Sequence, residues 1–344
     1  MDKTGILREE AFLEHHMGAF HPESPERLRA LYGMLDGLAF VSALMRVPAR
    51  PAERKELLAV HDPGYLERLE ATRGKDHTFL DPDTSTCGES WGAALMAAGG
   101  LCELVSSVFS GEVKNGFALV RPPGHHAERG RSMGFCLLNN VAVAARYAQQ
   151  ALGLSRILIV DWDLHHGNGT QHTFEDDDSV LYISTHQYPY YPGTGAFKEN
   201  GRAAGKGYTL NIPLGTGCGD GEYAAIFEKI VRPASLAYNP DLVLVSAGMD
   251  IHCNDPLGGM AVTPAGFAAM TRTLMDIAGA CCGGRLVLTL EGGYDLDGLR
   301  DSVRAVLAEL SGVSRTDSAE TASSCRIGDL DALLERVRKS HPGL

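Results

Sequence analysis

The chain has 344 residues, of which 44% are hydrophobic and 22% are charged. This composition is ordinary for a globular protein, so it argues against a disordered or fibrous chain. The formal net charge of −12 argues against a protein that binds nucleic acid by neutralising phosphates, since such proteins need a basic face. An acidic protein suits a cationic substrate, although acidity also serves solubility alone.

The eight cysteines form no C-x-x-C pair, and Cys281 and Cys282 are adjacent, which is a poor geometry for a structural disulfide. We therefore expect reduced thiols. The sequence begins MDKTGILREE without an apolar leader, and it contains no run of about 18 uninterrupted apolar residues. These features predict a cytoplasmic protein that does not engage a membrane, and they leave its oligomeric state open.

The predicted elements alternate between helices and short strands. In chain order they are helix 88–108, strand 117–120, helix 137–151, strands 157–160 and 180–183, helix 221–236, strand 242–245, helix 264–280 and strand 286–290. The strands are almost continuously apolar, which is typical of parallel strands buried on both faces of a sheet. This order predicts one doubly wound α/β domain.

The last part of the chain departs from this pattern. Residues 311–324 are rich in Ser, Thr and Ala, and an amphipathic segment follows near 328–339. Such a composition is typical of a loop followed by a short helix. We predict a main domain over 1–312, a surface linker over 313–326, and a carboxyl-terminal helix or tail over 327–344 that packs on the same domain.

Polar side chains gather after four of the predicted strands. Asp161 and Asp163 follow the strand that ends at 160, and residues 184–186 (Ser-Thr-His) follow the strand that ends at 183. Asp250 comes shortly after the fourth predicted strand, and Tyr294 shortly after the fifth. Because ligands bind beyond the carboxyl ends of parallel strands, these side chains are expected to share one rim of the sheet.

The tripeptide Asp163-Leu164-His165 suggests a metal site. Residues two apart on an extended strand end point to the same side, so this carboxylate and imidazole can reach one ion. Alone, the tripeptide fits equally well a capping Asp and a buried structural His. With Asp250 as third ligand, the set leaves a coordination position open for water, which is typical of a catalytic rather than a structural site.

The segment RPPGHH supplies the second candidate element. Its prolines and glycine predict a rigid loop that presents His125 and His126 as a general base and an electrostatic partner. A second pair, His165-His166, follows another strand. Tyr294 lies after two glycines, where its phenol could donate to the oxyanion of a tetrahedral intermediate; the alternative is a Tyr packed under a glycine turn.

The candidate residues belong to a set of motifs that resembles a known family. The matching pieces are HPESPER at 21–27, RPPGHHA at 121–127, GFCLLNN at 134–140, DWDLHHGNGTQ at 161–171, STH at 184–186, YPGTG at 191–195, SAGMDIHCNDPLGG at 246–259 and LEGGY at 290–294. Together they resemble the histone deacetylase family, especially its class II branch with the bacterial histone deacetylase-like and acetylpolyamine amidohydrolases. The resemblance spans about 15–310 and implies the arginase/deacetylase fold, a three-layer α/β/α domain with a mostly parallel sheet of about eight strands.

The resemblance also implies roles for the residues of the candidate site. Asp163, His165 and Asp250 would bind one zinc ion, with iron(II) as the alternative metal in the cell. His126 would be the general base and then the general acid, and His125, oriented by Asp161, its electrostatic partner. Tyr294 would polarise the amide carbonyl jointly with the metal. The implied activity is hydrolysis of N-acetyl-lysine in a peptide, or of a similar linear acyl-amine.

Further residues are implied only by the resemblance. Gly134, Phe135 and Tyr191 would form a narrow tunnel for the aliphatic stem, and Asp81 or Asp83 would hold a substrate backbone amide. One or two potassium ions are implied as well. The first would involve Asp161, Asp163, His165, Ser184 and Thr185, and the second Phe174, Asp177, Val180 and Tyr208.

Two departures from the class I pattern are visible. Asn168 stands where class I members have Asp, so His126 would pair with an amide, as in class II members, and its basicity would be lower. Tyr191 stands where Phe is more usual, which adds a hydroxyl to the tunnel. Tyr294, in contrast, is the residue of active members rather than the His of weakly active ones.

Three other functions compete with that of an acyl-lysine deacylase. Binuclear manganese ureohydrolases resemble this pattern, but Gly167 and Gly248 replace carboxylates that a second metal needs. Acetylpolyamine amidohydrolases carry a Glu near the tunnel mouth, where this chain has Leu257. A non-catalytic zinc-binding module would lack Tyr294, His126 or a ligand, and none is lost.

Overall fold

The computed structural model describes residues 3–325 and 330–341. Its strands are β1 (Thr4–Leu7), β2 (Leu44–Arg46), β3 (Thr78–Asp81), β4 (Thr84–Thr86), β5 (Asn115–Ala118), β6 (Ile157–Asp161), β7 (Val180–Gln187), β8 (Thr209–Leu214), β9 (Leu242–Ala247) and β10 (Leu286–Leu290). Its helices are α1 (Glu26–Asp36), α2 (Arg54–Leu58), α3 (Pro63–Glu70), α4 (Ser90–Phe109), α5 (Asn140–Leu152), α6 (Asn168–Phe174), α7 (Asp220–Ile226), α8 (Arg232–Tyr238), α9 (Pro264–Cys282), α10 (Leu296–Leu310), α11 (Ser318–Ala322) and α12 (Leu330–Ser340).

Eight of the described strands form one sheet in the order β2-β1-β5-β10-β9-β6-β7-β8, and all neighbours are parallel. The central strands β5, β6, β9 and β10 are buried along their whole length, because helices cover both faces of a parallel sheet. The predicted fold is confirmed. β3 and β4 form a separate antiparallel pair.

Local sequence signals explain where the main helices begin and end. The Asn139 side chain accepts a hydrogen bond from the Ala142 amide at the start of α5, and Thr263 caps α9, which begins with Pro264. Gly153 and Gly283 end these two helices in the left-handed conformation, with φ of 71° and 63°, where a side chain would be strained.

Two predicted strand boundaries were wrong. Residues 184–186 do not follow a strand but lie inside β7, because β8 pairs with it from Tyr182 to Gln187 and extends it. The strand predicted at 117–120 is β5, which ends at Ala118, where its pairing with β1 and β10 also ends. The helix predicted at 221–236 is α7 and α8 joined by a π-helical turn over Phe227–Val231.

The segment predicted as a linker contains the short helix α11. Ser318 at its start is buried and donates to Glu228, which also accepts a hydrogen bond from Thr273 of α9. The predicted terminal helix corresponds to α12, although its predicted start lies outside the described residues. The boundaries of the domain and the linker remain predictions.

Helix α4 is, among the described residues, the one helix long and apolar enough to cross a membrane by length and composition. It contacts β1, β5 and α5, and 67% of its most apolar window is buried inside the protein. A core helix passes the same test, so this feature is weak support for a membrane span.

Candidate active site

The residues predicted to bind a metal meet at the carboxyl ends of neighbouring strands. Asp161 is the last residue of β6, and Asp163 and His165 lie in the loop that follows it. Asp250 follows β9, which lies between β6 and β10 in the sheet. Tyr294 follows β10. The sheet order therefore brings together loops that are about 130 residues apart in the sequence.

The carboxylates of Asp163 and Asp250 and the imidazole of His165 offer donor atoms that all lie within 4.8 Å of one another. Nδ1 of His165 lies 3.2 Å from Oδ1 of Asp163 and 3.1 Å from Oδ2 of Asp250. Both aspartates are buried. Two buried carboxylates beside one imidazole suit a single divalent cation, because such an ion offsets the cost of burying their charge.

Main-chain amides hold these carboxylates in place. The amide of Gly292 donates to Oδ2 of Asp163 at 2.8 Å, and the amide of Leu164 donates to Oδ1 of Asp250 at 2.9 Å. Such contacts orient metal ligands and fix their spacing.

Glycines leave the space that this arrangement needs. A Cβ at Gly248 would lie 2.0 Å from Oδ2 of Asp163, and one at Gly292 would lie 2.2 Å from Oδ2 of Asp250. At Gly167 it would lie 2.3 Å from Oδ2 of Asp161. Larger side chains at Gly167 and Gly248 would therefore displace the carboxylates of Asp161 and Asp163.

His125 and His126 lie side by side, with ring centroids 4.0 Å apart, but have different partners. Nδ1 of His125 is 3.1 Å from Oδ2 of Asp161, and Nδ1 of His126 is 2.7 Å from Oδ1 of Asn168. Burial opposes the charging of His125, but the Asp163 and Asp161 carboxylates outweigh it and raise the pKa of this imidazole to about 10.

The pKa of His126 is shifted in the opposite direction to that of His125. Its burial, together with the positive charges of His125 and His165, holds the pKa of His126 well below its usual range. A neutral imidazole can accept a proton, whereas a charged one cannot. The pair therefore combines a charged ring next to a neutral ring that is available as a base.

Glu291 is a buried residue to which the sequence assigned no role. One carboxylate oxygen accepts hydrogen bonds from the amides of Gly124 and His125 at 2.6 and 3.2 Å, and the other accepts from Ser246. Burial raises the pKa of Glu291 to about 7. Its contacts tie the histidine loop to the ends of β9 and β10, so it positions the site.

Arg27 and Glu23 were also missed, although both lie in the quoted motif HPESPER. Arg27 donates to the carbonyl oxygens of Gly293 and Glu291, each at 2.6 Å, and its guanidinium lies 5.0 Å from the ring centre of Tyr294. Glu23 is buried and pairs with Arg121. The signal available from the sequence was their place in this motif.

A cavity of about 160 Å³ opens onto these groups. It is lined by Asp83, Pro123, His125, His126, Gly134, Phe135, His165, Tyr191, Leu257, Gly292 and Tyr294. A larger cavity of about 900 Å³ lies at the amino ends of β6, β7 and β8, far from the candidate metal ligands. The smaller one is the candidate active site, because the candidate ligand His165 and both His125 and His126 line it.

The wall of the cavity agrees with the predicted tunnel. Gly134 has φ of 56°, and a Cβ there would lie 2.3 Å from Cδ2 of His126, so only glycine fits without displacement. Phe135 has φ of 70°, a strained conformation that is often found at functional sites. Its ring lies 6.0 Å from that of Tyr294, and the ring of Tyr191 lies 5.2 Å from that of His126.

The structure distinguishes between Asp81 and Asp83, the two candidates for holding a substrate backbone amide. Asp83 lines the cavity, and its Oδ1 accepts hydrogen bonds from the Gly134 amide and the Thr84 hydroxyl. Asp81 is not among the lining residues. Leu257 lines the cavity, and its carbonyl oxygen accepts a hydrogen bond from the hydroxyl of Tyr190 at 3.0 Å.

His166 does not join the cavity. Its two ring nitrogens lie 2.7 Å from the Thr194 hydroxyl and 3.0 Å from Oε1 of Gln171, and burial holds the pKa of His166 well below its usual range. The second histidine pair of the sequence is thus one candidate ligand and one structural histidine.

The residues of the first predicted potassium site lie together beneath the metal ligands. Asp161 pairs with Ser184 across β6 and β7, and the Thr185 hydroxyl is 3.5 Å from the Asp161 carbonyl oxygen. At the second, the Asp177 carboxylate already pairs with Arg146 at 2.6 Å. An ion there would therefore depend on main-chain oxygens of Phe174, Asp177, Val180 and Tyr208.

Comparisons with known proteins agree with this geometry. The pattern of the histone deacetylase domain family matches residues 21–310. Histone deacetylase 15 of Arabidopsis thaliana is 43% identical over 92% of this chain and 57% of its own length. A probable deacetylase of Archaeoglobus fulgidus is 41% identical over 86% of this chain and 82% of its own length.

Two further similarities bear on the fold and on the range of relatives. Polyamine deacetylase HDAC10 of Homo sapiens is 42% identical over 84% of this chain and 44% of its own length. The crystal structure of the HDA15 HD domain superposes with a TM-score of 0.89 at 41% identity, covering 99% of this chain and 96% of that one. The chain thus spans about half the length of the plant and human relatives, and it belongs to the histone deacetylase family.

Proposed function

We propose that this chain is a zinc-dependent deacylase that hydrolyses the amide of N-acetyl-lysine or of a similar linear acyl-amine. The observation that carries the proposal is a single cavity lined by His165, by His126, whose pKa is lowered, and by Tyr294. The His165 imidazole lies within 4.8 Å of the Asp163 and Asp250 carboxylates, which complete the candidate metal site. Deacetylases among the relatives support the reaction class. The identity of the metal rests on its donor set, since two carboxylates and an imidazole with an open position suit catalytic zinc.

A zinc ion bound there would supply Lewis acidity that activates water and polarises an amide carbonyl. His126 faces the same cavity with Nε2, because its Nδ1 is engaged by Asn168. As a neutral ring it accepts the proton of the attacking water at Nε2 and returns that proton to the leaving amine nitrogen. His125, charged and held by Asp161, stabilises the negative charge that develops nearby.

Tyr294 has the properties of an oxyanion donor. Burial raises the pKa of its phenol well above the usual value, so the hydroxyl keeps its proton at neutral pH and can donate it in a hydrogen bond. Arg27 holds the adjoining main chain, and the Asp255 carboxylate accepts a hydrogen bond from the Tyr294 amide at 2.6 Å. This support is what preorganised stabilisation of a transition state requires.

Acetylated polyamines are the alternative substrate class, since a polyamine deacetylase is among the relatives. A distant ammonium of a polyamine needs an acidic partner near the mouth, where this chain places Leu257. Leu257 cannot provide that charge. We therefore favour acyl-lysine. The Asp83 carboxylate lines the same cavity and already accepts hydrogen bonds from Gly134 and Thr84, and it could also hold the peptide backbone of such a substrate.

The experiment that tests the proposal combines metal analysis with a comparison of substrates. The purified protein is expected to contain one zinc per chain and to cleave an acetyl-lysine peptide faster than acetylputrescine or acetylspermidine. Longer acyl-lysines and trifluoroacetyl-lysine complete the series. Faster turnover of acetylpolyamines by more than about tenfold, which is about 1.4 kcal/mol, would reverse the substrate assignment, and stoichiometric zinc without cleavage of any acyl amide would overturn the enzymatic one.

The potassium ions and the rejection of two other functions are proposals of the same kind. One or two potassium ions would stabilise the loops under β6 and β7 through the oxygen atoms named above. The glycines at 167 and 248 argue against a binuclear manganese ureohydrolase. Retention of His126 and Tyr294 in the cavity argues against a non-catalytic zinc-binding module.

A further inference from the structure

The side chain that contacts His126 is itself held by a residue outside the cavity. Nδ2 of Asn168 donates to Oε1 of Glu128 at 2.5 Å, while Oδ1 of Asn168 lies 2.7 Å from Nδ1 of His126. Glu128 has a largely buried side chain and is not among the residues that line the candidate active site. It therefore acts on His126 only through the amide of Asn168.

The direction of this amide decides which nitrogen of His126 carries the proton. An amide presents an acceptor on one side and a donor on the other, and rotation by 180° exchanges them. With Oδ1 toward the ring, Nδ1 must carry the proton and Nε2 keeps its lone pair. With the NH2 group toward the ring, Nδ1 would have to accept, and a neutral ring would then carry its proton on Nε2, where it could not act as a base.

An ionised carboxylate removes this ambiguity. It can only accept hydrogen bonds, so Glu128 favours the orientation in which Asn168 turns its NH2 group away from His126. Sδ of Met133, a weak acceptor, lies 3.4 Å from the same Nδ2. Both neighbours of the NH2 group thus favour one amide orientation, and a charged acceptor makes the stronger bond.

The surrounding structure fixes the positions of Glu128 and Asn168 relative to each other. Asn168 and His172 are four residues apart on α6, so they share one face, and Nδ1 of His172 lies 2.9 Å from Oε1 of Glu128. The amide of Thr170 donates to the carbonyl oxygen of His125 at 3.1 Å. A Cβ at Gly169 would lie 2.2 Å from the Ala127 carbonyl oxygen, so the histidine loop packs directly on the start of α6.

We propose that Glu128 is a positioning residue that, through Asn168, fixes His126 as the tautomer protonated on Nδ1 and so leaves Nε2 free to act as the base. A carboxylate in place of Asn168 would need no such help, because both its oxygens are acceptors. In this chain the negative charge is carried by Glu128, which contacts Asn168 rather than His126 itself. The inference deepens the proposed function and rests on it for its catalytic meaning.

The direct test is the tautomer of His126 in the zinc-loaded protein. Long-range ¹H–¹⁵N spectra of ¹⁵N-histidine-labelled protein distinguish protonation on Nδ1 from protonation on Nε2. The His126 signal is identified by its loss in His126→Gln. We expect protonation on Nδ1 in the wild type and a substantial Nε2-protonated population in Glu128→Ala. An unchanged tautomer in Glu128→Ala would overturn the proposal.

Kinetics provide a second test, in which two single variants should lose activity and their combination should recover part of it. Glu128→Ala is expected to lower kcat about tenfold, which is about 1.4 kcal/mol, with KM nearly unchanged. Asn168→Asp alone should also be impaired, because it places two carboxylates in contact. The double variant Asn168→Asp/Glu128→Ala should recover at least tenfold over Asn168→Asp, since one symmetric acceptor then remains. No recovery in the double variant would contradict the proposed role.

Control variants separate positioning from general damage. Glu112→Ala removes the same charge from an exposed loop before β5 and should leave both the tautomer and kcat unchanged. Melting temperatures of all variants identify any that fold poorly, in which case the double variant carries the kinetic test. If the wild type cleaves no acyl amide, the proposed function fails, but the tautomer spectra still decide the role of Glu128.

Discussion

Gly248→Ala tests the metal site without removing any of its ligands. The added Cβ would lie 2.0 Å from Oδ2 of Asp163, whereas ordinary contact begins at 3.4 Å. The carboxylate would have to move by the difference, about 1.4 Å, which is several times the roughly 0.2 Å that metal–ligand distances tolerate. The φ angle of Gly248 lies outside the left-handed region, but the Cβ would also lie 2.7 Å from Cα of Asp163, so the main chain of the ligand loop must shift as well as the carboxylate.

The size of the effect follows from the bonds that hold Asp163. Displacement of its Oδ2 breaks the hydrogen bond from the Gly292 amide, and hydrogen bonds to charged groups contribute about 1.5–3 kcal/mol. We therefore expect zinc affinity to fall about 10- to 100-fold, in line with the loss of contacts that orient metal ligands. The stabilisation that saturating zinc confers on the fold should fall by about 1.4–2.7 kcal/mol.

The assay is a zinc titration in competition with a chelator, together with melting curves in the presence and absence of zinc. Gly279→Ala is the matched control, because Gly279 lies in α9 and a Cβ there meets no atom within 4 Å. This control should bind zinc normally and gain up to about 1 kcal/mol in stability. Wild-type zinc affinity in Gly248→Ala would refute the reasoning.

Three further predictions concern the reaction, the substrate and the pH dependence of stability. Tyr294→Phe should lower kcat at least about 100-fold, about 2.7 kcal/mol, without changing zinc content; little change in rate would remove the phenol from the mechanism. Leu257→Glu should shift kcat/KM toward acetylspermidine at least about tenfold, and an unchanged ratio of substrates would show that this position does not select them. Burial lowers the pKa of His61 to about 4 from an ordinary 6.5, so between these values the unfolded state binds more protons and stability falls as the pH is lowered. The loss should approach about 3 kcal/mol at pH 4 relative to His61→Gln in urea titrations, and parallel curves for the two proteins would contradict it.

The fold was predictable because buried parallel strands have a strong signature in the sequence. β6 and β9 are apolar on both faces, so their existence and direction followed from composition. The end of β7 was not predictable in this way. Residues 184–186 are polar, and they remain in the strand because β8 pairs with them, which is a contact between segments that lie more than 20 residues apart in the sequence.

Some residues of the candidate site were likewise predictable from the sequence, and others were not. Asp163 and His165 are two residues apart, and the sequence predicted an extended strand end that would point both side chains to one side. The structure instead holds them in a bend after β6, and their donor atoms still lie within 4.8 Å of each other. The supporting role of Glu291 depends on the loop of His125 crossing the ends of β9 and β10, and no local pattern contains that information. Asp83 could be separated from Asp81 only when the cavity was formed.

The sequence by itself determined the parallel sheet and the family and named candidate metal ligands, because strand composition and the family motifs can be recognised without the fold. The tertiary structure alone decided which polar residues meet across long loops. It placed Glu291 under the histidine loop and Glu128 behind Asn168, and it shifted the pKa values of the adjacent His125 and His126 in opposite directions. The physical reason is that burial and the charges of neighbouring side chains set these properties, and both arise only when distant segments pack together.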